Sequence, residues 1–250
     1  MSDKQHIEFD EFVKVTARER FPGNYYILRL QSPALAQSVQ PGQMLLIQQF
    51  VEEAGVALVI AVMRRSAELG WVEISFHEEG PETHWLTEVQ TNDYVKITGI
   101  EGAPFLLQKS IKRLLLLGQG NGIGNIFFLA DQLHSLRPSQ PMLVMLGFNG
   151  QLPFQPRPSN ILINNVPPQY IATMPLFENR QIPTRLAMKI FQPGCFEGSV
   201  TAFAETWLDA YDKAIAREVD VIASGPAELC QAVEALGEKY SLSWQTRETM

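Results

Sequence analysis

The chain has 250 residues, 46% of them hydrophobic and 19% charged, with a formal net charge of −7. That is the composition of a globular protein long enough for one large domain or two ordinary ones. The absence of any basic run argues against nucleic acid as a partner, no apolar run reaches the roughly 18–20 residues of a membrane span, and the polar start MSDKQHIEFDEF does not read as a signal peptide, so a cytoplasmic location is expected.

Up to about residue 100 the sequence carries short apolar or alternating runs separated by turn residues. These are YYILRL (25–30), MLLIQQF (44–50), VALVIAVM (56–63), WVEISFH (71–77) and YVKITGI (94–100). Strands recurring at this spacing predict an antiparallel barrel or sandwich. One segment, PETHWLTEV (81–89), reads as a helix with Pro81 in its first turn.

Beyond residue 112 the texture changes. LLLLG (114–118), MLVMLG (142–147), RLAMKIF (185–191) and VDVIASG (219–225) are continuous apolar runs ending at or near glycine, as buried parallel strands do. Between the last two, Val200, Phe203, Ala204, Trp207, Leu208, Tyr211 and Ile215 fall on one helical face, and Leu229, Val233, Leu236 and Tyr240 fall on another after SGP. This is an α/β layer with a parallel sheet. Residues 151–193 hold eight of the sixteen prolines and read as loops, with a strand expected at NILI (160–163) and a helical turn near PLFENR. The boundary between the two textures falls within 102–112, giving a division into residues 1–107 and 108–250.

The turn after the first strand of the second part is GQGNGIGN, and a helix follows it. Strand, glycine turn and helix form a phosphate cradle, because the helix start offers free backbone N–H groups. The ordinary G-x-G-x-x-G fingerprint fails here, since counting from Gly118 or Gly120 puts Ile123 or Asn125 at the sixth position. A second glycine turn, SGP (224–226), also ends a strand and opens a helix, so both face the same crevice at the strand carboxyl ends.

The order and spacing of FPGNYYILRL, PGQM (41–44), GPET (80–83), GIEGAPF (99–105), GNGIG (120–124), MLGF (145–148), GCFEGSVT (194–201) and SGP resemble the ferredoxin–NADP reductase superfamily. Within it the chain resembles the electron-transfer subunits of dihydroorotate dehydrogenases, without their C-terminal iron–sulfur cysteines. The resemblance implies an N-terminal antiparallel six-stranded β-barrel that holds FAD and a C-terminal α/β domain with a parallel sheet that binds NAD(P)H. It implies that Gly120, Gly122, Ile123 and Gly124 approach the dinucleotide pyrophosphate and that Ser224, Gly225 and Pro226 flank the nicotinamide. It also implies that Gly80 and Thr83 sit at the flavin pyrophosphate and that Ile60, Ala61 and Val62 lie along the isoalloxazine.

The sequence departs from that pattern at the flavin side. The stretch LVIAV (58–62) lacks the family's arginine and hydroxyl, and a charge-assisted bond of that kind contributes about 1.5–3 kcal/mol. Arg64 and Arg65 follow, either as substitutes or as exposed hairpin residues, while Glu78, Glu79 and Glu82 surround the GPET turn. Ser224 stands where the family usually has cysteine. Cys195 and Cys230 are the only cysteines, so no metal site and no iron–sulfur cluster within this chain is expected. Cys195 reads as a buried support for its turn, with a redox-sensing thiol as the alternative.

Three functions fit these residues. The first is a flavin-dependent oxidoreductase or electron-transfer subunit that passes electrons from NAD(P)H to a protein acceptor or catalytic subunit. The second is a non-catalytic nucleotide-binding or scaffold subunit that keeps the fold without the flavin chemistry. The third is a reductase that takes flavin from solution rather than holding it.

Overall fold

A computed structural model describes residues 6–48, 57–78, 80–107 and 111–249. The N-terminal strands are β1 (His6–Phe21), β2 (Tyr25–Gln31), β3 (Met44–Gln48), β4 (Ala57–Ser66), β5 (Trp71–His77) and β6 (Tyr94–Glu101). They close into an antiparallel barrel in the order β1-β2-β5-β4-β3-β6. Two helices join its strands, α1 (Pro33–Ser38) and α2 (Pro81–Glu88).

The expected runs supply β2 to β6, while the tail of MLLIQQF and Glu79 lie outside the described residues. β1 has no counterpart among those runs. Only Val13 and Val15 in it are fully buried, and half of its other positions are charged, so pairing with both β2 and β6 holds it rather than a strong apolar pattern. α1 arises where PALAQS reads as turn; the Ser32 hydroxyl accepts from the Leu35 N–H at 3.2 Å and Pro33 fills the first turn.

The second part runs β7 (Arg113–Gln119), α3 (Gly122–Leu136), β8 (Met142–Phe148), β9 (Arg157–Pro158), β10 (Ala172–Thr173), α4 (Pro175–Glu178), β11 (Thr184–Met188), β12 (Phe196–Glu197), α5 (Val200–Asp209), α6 (Lys213–Ala216), β13 (Val219–Gly225), α7 (Ala227–Tyr240) and β14 (Ser243–Glu248). Six of these strands form one parallel sheet in the order β12-β11-β8-β7-β13-β14. β7 shows why such strands are apolar throughout: Leu114 and Leu116 pack beneath α3, and Leu115 and Leu117 pack against α5 and α7 on the other face. From β7 the chain builds outward through β8, β11 and β12, then returns to lay β13 and β14 on the other side. The switch point therefore lies between β7 and β13.

Two expectations change. Residues 160–163 form no strand, because the Asn160 N–H donates to Glu178 Oε1 at 2.8 Å and the Ile161 N–H to the Ser159 hydroxyl at 3.1 Å. With those donors taken by side chains, the small ladder forms instead between β9 and β10. The long amphipathic helix after residue 199 is broken into α5 and α6, and SLSWQTRE supplies the edge strand β14.

The sheet and the barrel share packing. Phe128 of α3 lies in the barrel's apolar cluster, and Met63 of β4 lies in the cluster between α3 and the sheet. The division at 107/108 abuts residues 108–110, which lie outside the described ones. Among the described residues no helix is long and apolar enough to cross a membrane, and no His, Cys, Asp and Glu group is placed to hold a metal ion.

Candidate functional site: a crevice at the strand ends

The three glycines of GNGIG do three different things. Gly120 has φ +55°, which favours glycine, although a β-carbon there would meet nothing within 4 Å. A β-carbon on Gly122 would stand 2.1 Å from the Ser224 carbonyl carbon and 2.4 Å from the Gly225 nitrogen, so this glycine lets α3 lie directly on the end of β13. A β-carbon on Gly124 would come within 2.5 Å of the Ser75 hydroxyl, so Gly124 seats the helix on the barrel. Ile123 is half-buried and packs with the apolar residues under the sheet. Of the four residues, Gly120 is the one that lines the strand-end crevice.

Asn121 joins the two halves. Its Oδ1 accepts from the His77 N–H at the end of β5 at 2.8 Å. His77 in turn stacks on Tyr25, with ring centroids 4.5 Å apart. No side chain caps the α3 N-terminus, and its Ile123 N–H donates to the Gly120 carbonyl at 3.2 Å.

At the second turn, Ser224 is fully buried and its hydroxyl accepts from Asn125 Nδ2 at 3.3 Å. Gly225 holds the chain's last residues, its carbonyl accepting from the Thr249 N–H at 2.9 Å. Pro226 is the member of the trio that lines the crevice. Serine at 224 is thus a packing residue, bonded inward to α3.

The crevice itself has a volume of about 550 Å³, within the range of small-molecule sites. Its floor is the carboxyl ends of β7, β8 and β11, at Gln119–Gly120, Gly147–Gln151 and Lys189. The barrel contributes Gly23, Asn24, Tyr25 and His77 as the facing wall. Lys189 is exposed, and its ammonium has no partner among the described residues, so it stands as a cation at the strand ends. The sequence reasoning missed it, although a lysine closing the apolar run RLAM was the available signal. It likewise missed Tyr25, His77 and Asn121, whose placement depends on how the barrel meets the sheet. These features suit a dinucleotide: the Gly120 turn, a helix start without a side-chain cap and the Lys189 ammonium favour bound phosphate, with exposed Glu228 on the same rim.

The flavin-side residues are arranged differently. Ile60 and Val62 point into the barrel core, while Ala61 faces outward and is covered by α3, its β-carbon 3.7 Å from where one on Gly124 would be. Gly80 and Thr83 line a cleft of about 240 Å³ together with Leu58, Val59, Ile60, Glu82 and Asn121. The Thr83 hydroxyl donates back to the Gly80 carbonyl at 3.3 Å. The acidic Glu82 stands in the first turn of α2, and no cation lines the cleft among the described residues.

Arg64 and Arg65 are neither free substitutes nor idle surface residues. Arg64 Nε pairs with Glu73, a carboxylate only 1% exposed that Arg29 also holds at 2.7 Å. Arg65 donates to the carbonyls of Ala36, Gln37 and Val39 at 2.7–3.1 Å and so closes the end of α1. A flavin pyrophosphate therefore finds a helix start and a carboxylate in this cleft. The residues present do not fit a phosphate-anchored FAD.

The two other groups singled out by sequence are also placed. Cys195 is buried in the cluster under the sheet, and burial pushes its thiol up to about 11. Cys230 is buried on α7, and burial raises its thiol too. His84 bonds Glu78 Oε1 at 2.7 Å, and that bond raises its pKa.

Chains of known structure share this architecture along nearly the whole length. An NADH-dependent reduced ferredoxin-NADP oxidoreductase, described for flavin-based electron bifurcation, matches with a TM-score of 0.67 at 17% identity over 96% of this chain and 77% of its own. The flavohaem-like FAD/NAD-binding domain of nitric oxide dioxygenase from Vibrio cholerae matches with a TM-score of 0.69 at 12% identity, over 97% of this chain and all of its own, 100%. A cytochrome P450 reductase from Amycolatopsis gives 0.69 at 14% identity over 99% and 71%. The fold is that of the ferredoxin reductase-like proteins, a closed six-stranded barrel followed by a parallel α/β layer. No protein-family model matches the sequence, and no curated protein is similar to it.

Proposed function

We propose that this chain is an NAD(P)H-dependent oxidoreductase or electron-transfer subunit that holds the dinucleotide in the strand-end crevice and does not anchor flavin by its phosphates. The carrying observation is the contrast in charge and access between two sites. Lys189, the Gly120 turn and the start of α3 converge on the crevice, where exposed Glu228 at the start of α7 is balanced by the ammonium, whereas the β4–α2 cleft carries Glu82 and no cation among the described residues. Dinucleotides supply the hydride, and the chain's part is placement. In that role Gly120, Lys189 and the helix start take the pyrophosphate, Pro226 borders the nicotinamide end, and the Tyr25–His77 stack closes the barrel side. The motif resemblance read from the sequence makes a protein partner the expected final acceptor, with flavin an exchangeable participant.

The test is an absorbance spectrum of the purified protein followed by separate titrations with NADH, FAD and FMN. The expected result is no retained flavin band near 450 nm, saturable NADH binding, and similar weak affinities for FAD and FMN. Tight stoichiometric FAD would overturn the reading. Committed arginines also favour a second reading, a nucleotide-binding scaffold subunit without turnover. Saturable NADH binding with no reduction of any added flavin or artificial acceptor would select it.

A further inference from the structure

We propose that a cavity at the amino ends of the parallel strands binds a small planar carboxylate, an aromatic or conjugated acid with one negative charge. The cavity holds about 400 Å³ among the starts of β7 and β8, the end of α3, the end of α5 and the loop at residues 162–164. It lies away from the strand-end crevice. The seven residues of β7 span about 20 Å, from Arg113 at this cavity to Gln119 at the crevice. The two are separate sites, and the assignment does not depend on the dinucleotide reading.

Charge selects the ligand. The Arg113 guanidinium lies over the Tyr211 ring at 5.5 Å and has no hydrogen bond or ion pair among the described residues. It can only donate, and its planar fork matches the two oxygens of a carboxylate. No Asp or Glu lines the cavity among the described residues. Acidic residues on the adjoining elements are engaged elsewhere: Glu218 with Lys112 at 2.6 Å, Asp131 with Arg180 at 2.5 Å and Asp209 with the Tyr240 hydroxyl at 2.5 Å. Asp212, beside Tyr211 in the chain, and Asp220, beside Leu114 in the sheet, stand outside the lining. One permanent cation suits one negative charge, and His134 adds a ring nitrogen able to donate.

Shape selects a flat body. Tyr211 meets Trp207 edge-on with ring centroids 5.0 Å apart, and the Trp207 indole is fixed by donating to the Asn164 carbonyl at 3.1 Å. Aromatic side chains held in this way favour planar rings. Leu162 stands on the rim and is 96% exposed, an apolar side chain in water that a flat ligand would cover.

Calorimetric titration of the full chain with naphthoate, naphthalene, naphthylmethylammonium and naphthyl phosphate tests the assignment. Naphthoate should bind about tenfold or more tighter than naphthalene, and the ammonium compound no tighter than naphthalene. Arg113→Gln should weaken naphthoate about tenfold and leave naphthalene unchanged. Leu162→Glu, at an exposed position, should weaken naphthoate roughly threefold or more with no change in melting temperature. Naphthoate that binds no tighter than naphthalene, or equally in the parent and both variants, would overturn the proposal. Naphthyl phosphate binding tighter than naphthoate would overturn the choice of a singly charged carboxylate. Displacement of naphthoate by NADH would overturn the separation of this cavity from the crevice.

Discussion

The strand-end crevice and the β4–α2 cleft are both built from a glycine turn leading into a helix, yet they differ in what surrounds the turn. At the crevice the neighbours are backbone, an exposed ammonium beside the Glu228 carboxylate, and a wall of stacked rings. At the cleft they are aliphatic side chains, a carboxylate and a threonine hydroxyl turned to its own helix. A glycine turn is thus permissive for phosphate, and the neighbouring charge decides whether phosphate is held.

The strongest way to break this comparison is at Gly122, where α3 packs directly on the end of β13. Gly122→Ala places a methyl group against the backbone of Ser224 and Gly225, where nothing flexible can yield. It should cost about 3–5 kcal/mol or prevent folding. A denaturant midpoint equal to the parent's would show that α3 does not rest on β13 in this way.

Charge is the next lever. Lys189→Ala should weaken NADH binding about tenfold with no change in melting temperature, because the side chain is exposed. The reciprocal change, Glu82→Lys, should raise FMN affinity by about tenfold by supplying the missing cation. If Glu82→Lys leaves flavin affinity unmoved while Lys189→Ala weakens NADH, the cleft lacks more than charge. Gly120→Ala is milder, with open space but a left-handed backbone, and should cost about 1–2 kcal/mol of stability.

How far the sequence could be read follows from these residues. The barrel strands β2 to β6 and the parallel strands announce themselves through periodicity and length. β1 does not, because its partners on both sides rather than its own apolar residues hold it. At the site, glycine positions were legible but their division of labour was not. Gly122 and Gly124 are set by contacts to Ser224 and Ser75, which are distant in sequence. The same holds for Arg64, whose carboxylate partner lies across the β4–β5 pairing.

Two smaller effects sharpen the picture. With its thiol pushed to about 11 by burial, Cys195 should resist alkylation at neutral pH in the folded protein and react fully once unfolded. Rapid modification of the native chain would restore the redox-sensor alternative. His84 should titrate above its ordinary value, because Glu78 bonds its ring. A raised histidine pKa means that its contribution to stability is fully present below the unfolded value, near 6.5, and is lost as pH rises through the folded one. Glu78→Gln should return the NMR titration midpoint of His84 towards the unperturbed value; no movement would show that the pair does not form.

Phe128 carries a consequence for how the chain acquires this shape. It grows from a helix of the later half, yet it sits among the side chains that fill the barrel, with the Arg65 guanidinium 6.0 Å from its ring. During synthesis the barrel strands emerge first and must wait for this one side chain to complete their interior. A fragment ending at residue 107 would therefore be left with a hole where the ring belongs, and the two halves should melt in a single transition rather than one after the other.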